Sequence, residues 1–408
     1  MKDKVIVIGG GPAGMLAAGF AGSRKKDVHL YEKNEKLGKK LFITGKGRCN
    51  FTNASDIETI IENIKRNPYF LYSSLYNFTN IDLVDFFESL GVSTKVERGN
   101  RVFPKSDKSN DIIKALDKFM VGNKVNIHLN KDIDKILIDD KKSIKGIALS
   151  TGEIFEANKV ILATGGLSYP RTGSTGHGLT MVKKIGHNII QPLPSLVPIV
   201  VNKQWVKDLQ GLSLRNVEIS LYRKNILVKK EFGEMVFTHY GLSGPTILTL
   251  SADMIPDYKQ YSISINLKPA LTEEQLDLRL QRDFKKNVRK QYKNSLNDLL
   301  PAKLIPVIIK ISKINEDKFI HQITKEERIG LVKLIQNLYF KVDDLRPIDE
   351  AIISAGGVDT KEINPSTMES KLIKGLFFAG EIIDVDALTG GYNLQIAFST
   401  GYSAGMNC

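Results

Sequence analysis

The sequence predicts an α/β fold built on a parallel sheet, interrupted by a β-rich domain and a small helical insert. Three observations support this prediction. A buried strand runs into glycines and a helix near the start of the chain, and a similar strand, glycine turn and helix lie at its end. Between them, the pattern changes from mixed to all-β and then to helical. Alternating strands and helices indicate a parallel sheet, whereas consecutive short strands indicate a separate β domain.

The first strand begins at Lys4 and contains four consecutive β-branched residues, which is typical of a buried parallel strand. The glycines that follow have the spacing G-x-G-x-x-G: one for a tight turn, one for close approach of a pyrophosphate, and one for helix packing. A second apolar run, 28–31, ends in an acid, which in this position binds an adenosine ribose. The pattern predicts a Rossmann-like dinucleotide site formed by Gly9, Gly11, Pro12, Ala13, Gly14 and Glu32.

Composition limits the classes of protein that remain. The chain has 408 residues, enough for two or three domains, and lacks an apolar run of the ~18–20 residues that span a membrane. Its two cysteines, Cys49 and Cys408, exclude a disulfide framework, and the N-terminus lacks a signal-peptide layout, so we expect a cytoplasmic protein. Neither metal-ligand spacing nor any indication of oligomeric state is present.

The net charge of +13 raises the question of nucleic-acid binding. Lysine and arginine are interspersed with acids along the chain, and no RNA-binding fold signature accompanies them. A solvated basic surface is therefore the favoured interpretation, and a nucleic-acid partner is not expected.

Local patterns predict the remaining elements. Residues 33–53 form a basic, glycine-punctuated loop, and 57–91 read as helical with Asn80 as an N-cap. Short β-runs at 125–129, 133–138, 144–149 and 154–155 predict a β-meander. Thr272 and Gln275 form a capping box, and further helices are expected at 295–312 and 325–339.

These changes of pattern predict five segments. They are a Rossmann-like first segment at 1–190, a β-barrel first segment at 191–269, a helical insert at 270–328, a β-barrel second segment at 329–360, and a Rossmann-like second segment at 361–408. We expect the insert to cap the β domain and to shape access of the substrate, and a purely structural role is the alternative.

Four motifs carry a resemblance to a known family: Gly9–Gly14, 45–53 (GKGRCNFTN), 163–166 (ATGG), and 380–384 (GEIID) with 390–393 (GGYN). Over nearly its whole length the chain resembles the HI0933-like flavoproteins, also called the BaiN family of NAD(P)/FAD-dependent oxidoreductases. The resemblance implies a discontinuous FAD-binding Rossmann-like domain with an inserted β-barrel and a small helical domain.

The resemblance also implies further cofactor contacts. Those on the diphosphate and flavin side would be Lys33, Lys39, Lys40, Thr44, Gly45, Arg48, Cys49 and Asn50. Those near the adenosine half would be Ala163, Thr164 and Gly165. Gly380, Glu381 and Asp384 would face the ribityl chain, and Tyr392, Asn393, Leu394 and Gln395 the pyrimidine edge of the flavin.

The expected function is an FAD-dependent oxidoreductase that passes hydride from NAD(P)H through flavin N5 to a small or flat apolar substrate, such as an enone. No second complete dinucleotide motif appears, so a nicotinamide nucleotide would be a transient visitor. An oxygen-using oxidase of an amine or aminoketone and a flavin-bearing RNA modifier are the alternatives. The catalytic residues are unknown. His177 and His239 are candidates for a proton donor, and Arg101 is a candidate for holding a substrate carboxylate or carbonyl. Each has a structural alternative, and packing is favoured over redox chemistry for Cys49.

Overall fold

The computed structural model describes residues 3–408, and the chain divides into two compact units. The first unit contains the chain up to Ser195 together with Ile348–Cys408, and the second contains Leu196–Pro347. The segment limits predicted inside these units stay predictions. Among the described residues, no helix is both long and apolar enough to cross a bilayer.

The first unit begins with eleven strands and seven helices in its described part up to Ser195. The strands are β1 (Lys4–Ile8), β2 (Asp27–Tyr31), β3 (Thr52–Asn53), β4 (Thr94–Glu97), β5 (Arg101–Pro104), β6 (Asn126–His128), β7 (Ile133–Ile138), β8 (Ile144–Leu149), β9 (Ile154–Glu156), β10 (Lys159–Leu162) and β11 (Ile189–Ser195). The helices are α1 (Pro12–Ser23), α2 (Lys39–Ile43), α3 (Ile57–Glu62), α4 (Tyr72–Asn77), α5 (Asn80–Ser89), α6 (Ser109–Gly122) and α7 (His177–Lys184).

The second unit and the return to the first complete the chain. The second unit contains the strands β12 (Ile199–Val201), β13 (Ser213–Arg223), β14 (Ile226–Phe237), β15 (Gly241–Ser243), β16 (Tyr261–Asn266) and β17 (Leu338–Leu345). Its helices are α8 (Pro245–Ser251), α9 (Glu273–Lys286), α10 (Ile305–Ser312) and α11 (Lys325–Gln336). The first unit resumes with β18 (Ile353–Val358), β19 (Leu376–Phe378) and α12 (Tyr392–Asn407).

A parallel sheet in the order β19-β10-β1-β2-β6 forms the centre of the first unit. The side chains of Val5, Ile6 and Val7 in β1 are completely buried, as the run of β-branched residues predicts. Because β10 and β19 lie on one side of β1, the two glycine turns at the ends of the chain belong to one sheet. This arrangement confirms the predicted discontinuous Rossmann-like fold.

The β-run at 125–129 does not belong to the predicted meander. Asn126–His128 pairs in parallel with β2 and forms the edge of the central sheet, while β7, β8 and β9 form a separate antiparallel sheet. The prediction was wrong because a short β-run does not specify its partner. The crossover through α6, which packs on α1, returns the chain to the edge beside β2.

The N-cap of α5 is Thr79 rather than the predicted Asn80. The Thr79 hydroxyl accepts a hydrogen bond from the Asp82 amide at 3.1 Å, and the Asp82 carboxylate accepts one from the Thr79 amide at 2.8 Å. Asn80 is buried and donates to the carbonyls of Asn53 and Ser55. Its amide therefore holds the chain after β3 instead of starting the helix.

The second unit is a closed antiparallel barrel in the order β12-β15-β14-β13-β16-β17. The chain between β16 and β17 carries α9, α10 and α11, the predicted helical insert. The capping box of Thr272 and Gln275 is confirmed at the start of α9, and Thr324 and Glu327 form another at the start of α11. Two helix predictions were too long, because the regular helix begins only at Ile305 and β17 begins at Leu338.

Candidate functional site

The turn after β1 requires glycine for two different reasons. A Cβ atom on Gly9, whose φ is +107°, would lie 2.4 Å from the Ala163 carbonyl oxygen. One on Gly14 would lie 1.9 Å from the Gly9 carbonyl oxygen. A Cβ atom on Gly11, in contrast, would meet no heavy atom within 4 Å. Gly9 and Gly14 therefore serve close packing, whereas Gly11 borders open space suited to a ligand.

The start of α1 offers free hydrogen-bond donors to that space. Gly11 is the N-cap, no side chain caps the helix, and its first turn contains no acidic residue. Pro12 occupies the first turn, where its missing N–H costs nothing. Unpaired amides and the helix dipole together form an anion site, which suits the predicted pyrophosphate.

Glu32 holds the turn against the end of β2. One of its carboxylate oxygens accepts from the Gly10 amide at 2.7 Å, and the other accepts from the amide and side chain of Asn34 at 2.8 and 2.6 Å. A carboxylate has about four acceptor positions, so Glu32 retains capacity for one further donor. A ribose hydroxyl suits that remaining position.

The basic loop 33–53 joins the beginning of the chain to its end. The Lys40 ammonium pairs with Glu381 at 2.6 Å, and the second Glu381 oxygen accepts from the Ser354 amide at 2.9 Å and the Ser168 hydroxyl at 3.0 Å. Gly380 lies at the start of α1, where an added Cβ would be 2.9 Å from the Ala13 Cβ. These two contacts join predicted site residues that are distant in sequence: Lys40 with Glu381, and Ala13 with Gly380.

The other predicted basic contacts of this loop, Lys33, Lys39 and Arg48, have protein partners. Lys33 donates to the Thr175 hydroxyl at 3.0 Å, and Lys39 pairs with Glu35 at 3.3 Å. Arg48 is bound by the carboxylates of Glu97 and Asp107, and these hydrogen bonds raise its pKa. A diphosphate at Arg48 would therefore compete with two carboxylates.

Thr44 and Gly45 begin a turn that places Cys49 and Asn50 inside the unit. The Thr44 carbonyl accepts from the Cys49 amide at 3.1 Å. Cys49 is completely buried, and burial raises the pKa of its thiol to about 12, so the thiol stays protonated. This environment agrees with the favoured packing role.

Two predicted contacts contain buried oxygens that have no hydrogen-bond partner among residues 3–408. They are Asn50 Oδ1 and Thr164 Oγ1, one on the basic loop and the other after β10. Leaving such an atom unpaired costs about 1–3 kcal/mol. Gly165, with φ of +73°, continues the turn after Ala163 and Thr164. Unsatisfied oxygens beside two glycine turns fit a bound polar cofactor.

The start of α12, like that of α1, is a helix N-terminus without a side-chain cap. Its N-cap Gly391 has φ of +102°, no side chain caps the helix, and an added Cβ would lie 2.2 Å from the Thr52 carbonyl oxygen. The Asn393 side chain is hydrogen-bonded to both backbone groups of Ala387. These contacts fix the approach to the helix and leave its first amides available, including those of Tyr392 and Leu394.

Gln395 is also engaged within the protein. Its amide nitrogen donates to the Phe78 carbonyl at 3.1 Å and to the Ser399 hydroxyl at 2.9 Å, and its oxygen accepts from Thr52. The side chains of Asn393 and Gln395 therefore position the start of α12. Any flavin contact from 392–395 would rest chiefly on backbone groups.

Helices α1 and α12 are parallel and staggered. An added Cβ on Gly401 would lie 2.5 Å from the Ala13 carbonyl oxygen, and one on Gly405 would lie 2.5 Å from that of Ala17. Equal four-residue steps in both helices mean that they run in the same direction. In this alignment Gly401 lies beside Ala13, so α12 extends eight residues further than α1 on the N-terminal side, which is about 12 Å of helix. A ligand with two electron-rich regions suits these two starts.

Sequence reasoning missed an acidic cluster in front of α12. Asp386 is nearly completely buried and accepts from the Ser195 hydroxyl at 2.8 Å. The Arg66 guanidinium lies 3.5 Å from Asp386 and 3.6 Å from the predicted Asp384. Burial raises the pKa of both carboxyl groups, and Arg66 opposes this effect. The D-x-D spacing was visible, but only the tertiary structure brings Arg66 to it.

The three weak catalytic candidates have different surroundings. His177 begins α7, and Arg101 donates to the Arg98 carbonyl at 2.9 Å from an exposed position. His239 belongs to the second unit and contacts Tyr240 edge to face at 4.8 Å. None of these contacts identifies a proton donor or a substrate-binding arginine, so the three roles stay predictions.

The sheet, the uncapped starts of α1 and α12, and the unsatisfied buried oxygens define a Rossmann-type dinucleotide-binding protein. The family model described as "HI0933-like protein Rossmann domain" matches residues 3–407. The chain therefore belongs to the HI0933-like family.

Curated relatives of similar length carry two kinds of name. The chain is 30% identical over 409 residues to a 3-dehydro-bile acid delta(4,6)-reductase of Clostridium scindens, covering 99% of this chain and 98% of the relative. It is also 30% identical to a ribosomal RNA dihydrouridine synthase of Escherichia coli, covering 98% and 96% of the two chains.

A solved structure supports the fold. The 3-ketosteroid-delta4-(5alpha)-dehydrogenase of Rhodococcus jostii RHA1 matches with a TM-score of 0.54 at 15% identity, covering 99% of this chain and 96% of that one. At this identity the likeness concerns the fold alone.

Proposed function

We propose that this protein is an FAD-dependent reductase of a carbon–carbon double bond conjugated to a carbonyl group. The observation that carries the cofactor part of the proposal is the uncapped start of α12, about 12 Å from the uncapped start of α1 along parallel helices, and the class of substrate rests on the relatives. A helix N-terminus stabilises nearby negative charge. Bound FAD would supply hydride transfer at N5, while the protein supplies orientation and electrostatics.

Each group of predicted cofactor contacts has a proposed task. The amides of Ala13 and Gly14 would bind the pyrophosphate, and Glu32 would accept a hydrogen bond from the adenosine ribose. Thr164 and Asn50 would satisfy their unpaired oxygens with donors on the cofactor or on ordered water. The backbone groups at 392–394 would face the electron-rich edge of the flavin. These assignments follow the predicted site residues and rest on their contacts within the protein.

The names of the relatives support the class of reaction. A delta(4,6)-reductase of a 3-dehydro-bile acid and a dihydrouridine synthase both saturate ring double bonds. In uracil, that bond is conjugated to a carbonyl group. Reduction of such a bond delivers hydride to one carbon and a proton to the other, and we propose NADH or NADPH as the hydride source.

Uridine in RNA is a second candidate substrate beside a small enone. It is favoured by a specific observation, the net charge of +13, because phosphate backbones attract basic surfaces. The sequence alone argued against a nucleic-acid partner. The ribosomal RNA dihydrouridine synthases of comparable length and similarity give that reading additional support.

An anaerobic titration tests the proposed reaction. We expect NADH or NADPH to bleach the flavin absorbance of the holoprotein, and a conjugated substrate to restore it. A 3-oxo-4-ene steroid and a uridine-rich RNA are the two substrate arms, with a saturated 3-oxo steroid and a uridine-free RNA as matched controls. Failure of both nucleotides to bleach the flavin would contradict the proposal. Oxygen consumption with an aminoketone would then favour the oxidase alternative.

A further inference from the structure

The helical insert carries exposed basic and aromatic side chains on two segments that are paired through their backbones. This basic–aromatic surface lies at the end of α9, on the chain that follows it, and on a segment paired with that chain. Its residues are Arg282, Lys285, Arg289, Lys290, Phe319 and His321. The insert was expected to shape substrate access, but neither its capping boxes nor its apolar core explains this surface.

The charge of the surface is uncompensated. Residues 282–293 contain six lysine or arginine residues and one acid, Asp283, which is buried and paired with Arg279. Lys286 pairs with Asp298 and Lys293 pairs with Asp317. The other four cations have no hydrogen-bond or ion-pair partner for their side chains within residues 3–408. They are Arg282, Lys285, Arg289 and Lys290, all exposed.

Backbone pairing brings the aromatic residues to these cations. Gln291 and Phe319 form an antiparallel bridge, and the Ile320 amide donates to the Lys290 carbonyl at 3.1 Å. Phe319 is 42% exposed and stacks with His321, with ring centroids 5.8 Å apart and planes inclined by 23°. The exposed rings of Phe319 and His321 thus lie on a segment whose backbone pairs with the chain at Lys290 and Gln291.

We propose that the basic–aromatic surface binds single-stranded RNA. The cations would contact phosphates, and Phe319 or His321 would stack with a base, the combination that single-strand-binding proteins use. Charge alone would equally suit an acidic protein or an anionic membrane, but exposed rings on the segment paired with the basic chain favour nucleotide bases. The choice of RNA rests partly on the second substrate candidate above, whereas the location of the surface is independent of it.

Anisotropy of a fluorescein-labelled, uridine-rich RNA oligonucleotide tests the surface in the FAD-loaded protein. The double variant Arg289→Glu/Lys290→Glu should weaken binding at least about tenfold and reduce the slope of log affinity against log salt by about 1.4, or 0.7 per lost phosphate contact. Phe319→Ala should weaken binding about tenfold with little change in the slope. The control Lys114→Glu/Lys118→Glu, which reverses two exposed lysines of α6, changes the net charge equally and should retain binding.

Three results would overturn the proposal. They are no RNA binding by the natural sequence at low salt, equal loss in the α6 control, or binding to phosphatidylserine vesicles that RNA does not compete away. Flavin bleaching by NADH or NADPH is measured on the same samples. If neither nucleotide bleaches the flavin of the natural protein, the proposed reductase activity is contradicted. The RNA measurements would still test whether the basic–aromatic surface binds RNA.

Discussion

Two helices of the first unit, α1 and α12, begin differently from two helices of the second unit, α9 and α11. In the first unit α1 and α12 start at Gly11 and Gly391 without a side-chain cap, whereas α9 and α11 in the second start with Thr272 and Thr324 in capping boxes. A cap satisfies amides that otherwise stay unpaired. The capped helices are complete within the protein, while the bare ones leave donors for a ligand. At α1 and α12, unlike at α9 and α11, unpaired backbone amides therefore remain available for the proposed cofactor.

The largest effect should come from filling the space in front of α1. Gly11→Val places a side chain in this open region, so we expect FAD binding to be abolished while the apoprotein still folds. Flavin absorbance per chain and circular dichroism measure the two effects separately. Gly14→Val provides the contrast, because its Cβ would meet the Gly9 carbonyl at 1.9 Å and should disrupt the fold itself. Undiminished flavin in Gly11→Val would refute the assignment.

A smaller effect should follow from removing an unsatisfied oxygen. Thr164→Val preserves the shape of the side chain and eliminates the unpaired Oγ1. We expect the apoprotein to be as stable or more stable, by up to about 1–3 kcal/mol, because the cost of a buried unpaired group disappears. FAD affinity should fall about tenfold if that oxygen contacts the cofactor, since a hydrogen bond of ~1–1.5 kcal/mol is lost. Equilibrium titration of apoprotein with FAD measures it, and unchanged affinity would exclude the contact.

Removing a helix cap in the second unit should lower stability and leave FAD binding unchanged, the reverse of the effects expected for Thr164→Val. Thr272→Ala or Thr324→Ala should each lower the free energy of unfolding by about 1 kcal/mol, because a helix N-cap is lost. The flavin content and the bleaching rate should not change. Chemical denaturation and absorbance on the same preparation test both statements, with Thr272→Ser as a control that retains a hydroxyl cap. Loss of FAD would mean that the capped helices also contribute to the cofactor site.

The smallest predicted effect is a dependence of stability on pH. Burial lowers the pKa values of His29, His128 and His187 in the folded protein, although Glu362 partly opposes this for His187. The unfolded chain therefore takes up protons first. Stability from these groups is fully present above about pH 6.5 and declines as the pH falls towards their lower folded values. Thermal unfolding between about pH 8 and 5.5 should show this trend, and His187→Gln should flatten it. Identical slopes of stability against pH for the natural protein and the His187→Gln variant would contradict the role of His187.

The sequence determined the features that depend on local chemistry. The β-branched run before Gly9 specified a buried strand, the glycine spacing specified a turn with close packing, and Thr272 with Gln275 specified a helix start. These features depend on backbone sterics and hydrogen bonds between near neighbours, so a few consecutive residues are sufficient to predict them. The family motifs added the discontinuous FAD-binding fold.

The tertiary structure decided which distant residues meet. It placed Asn126–His128 at the edge of the central sheet, paired Lys40 with Glu381, and brought Arg66 to Asp384 and Asp386. It also aligned Gly401 and Gly405 with α1, which sets the stagger of the two bare helix starts. Spacing along the chain predicts none of these contacts. Each one depends on how distant segments pack together, and a short stretch of sequence does not specify which other segment it will pack against.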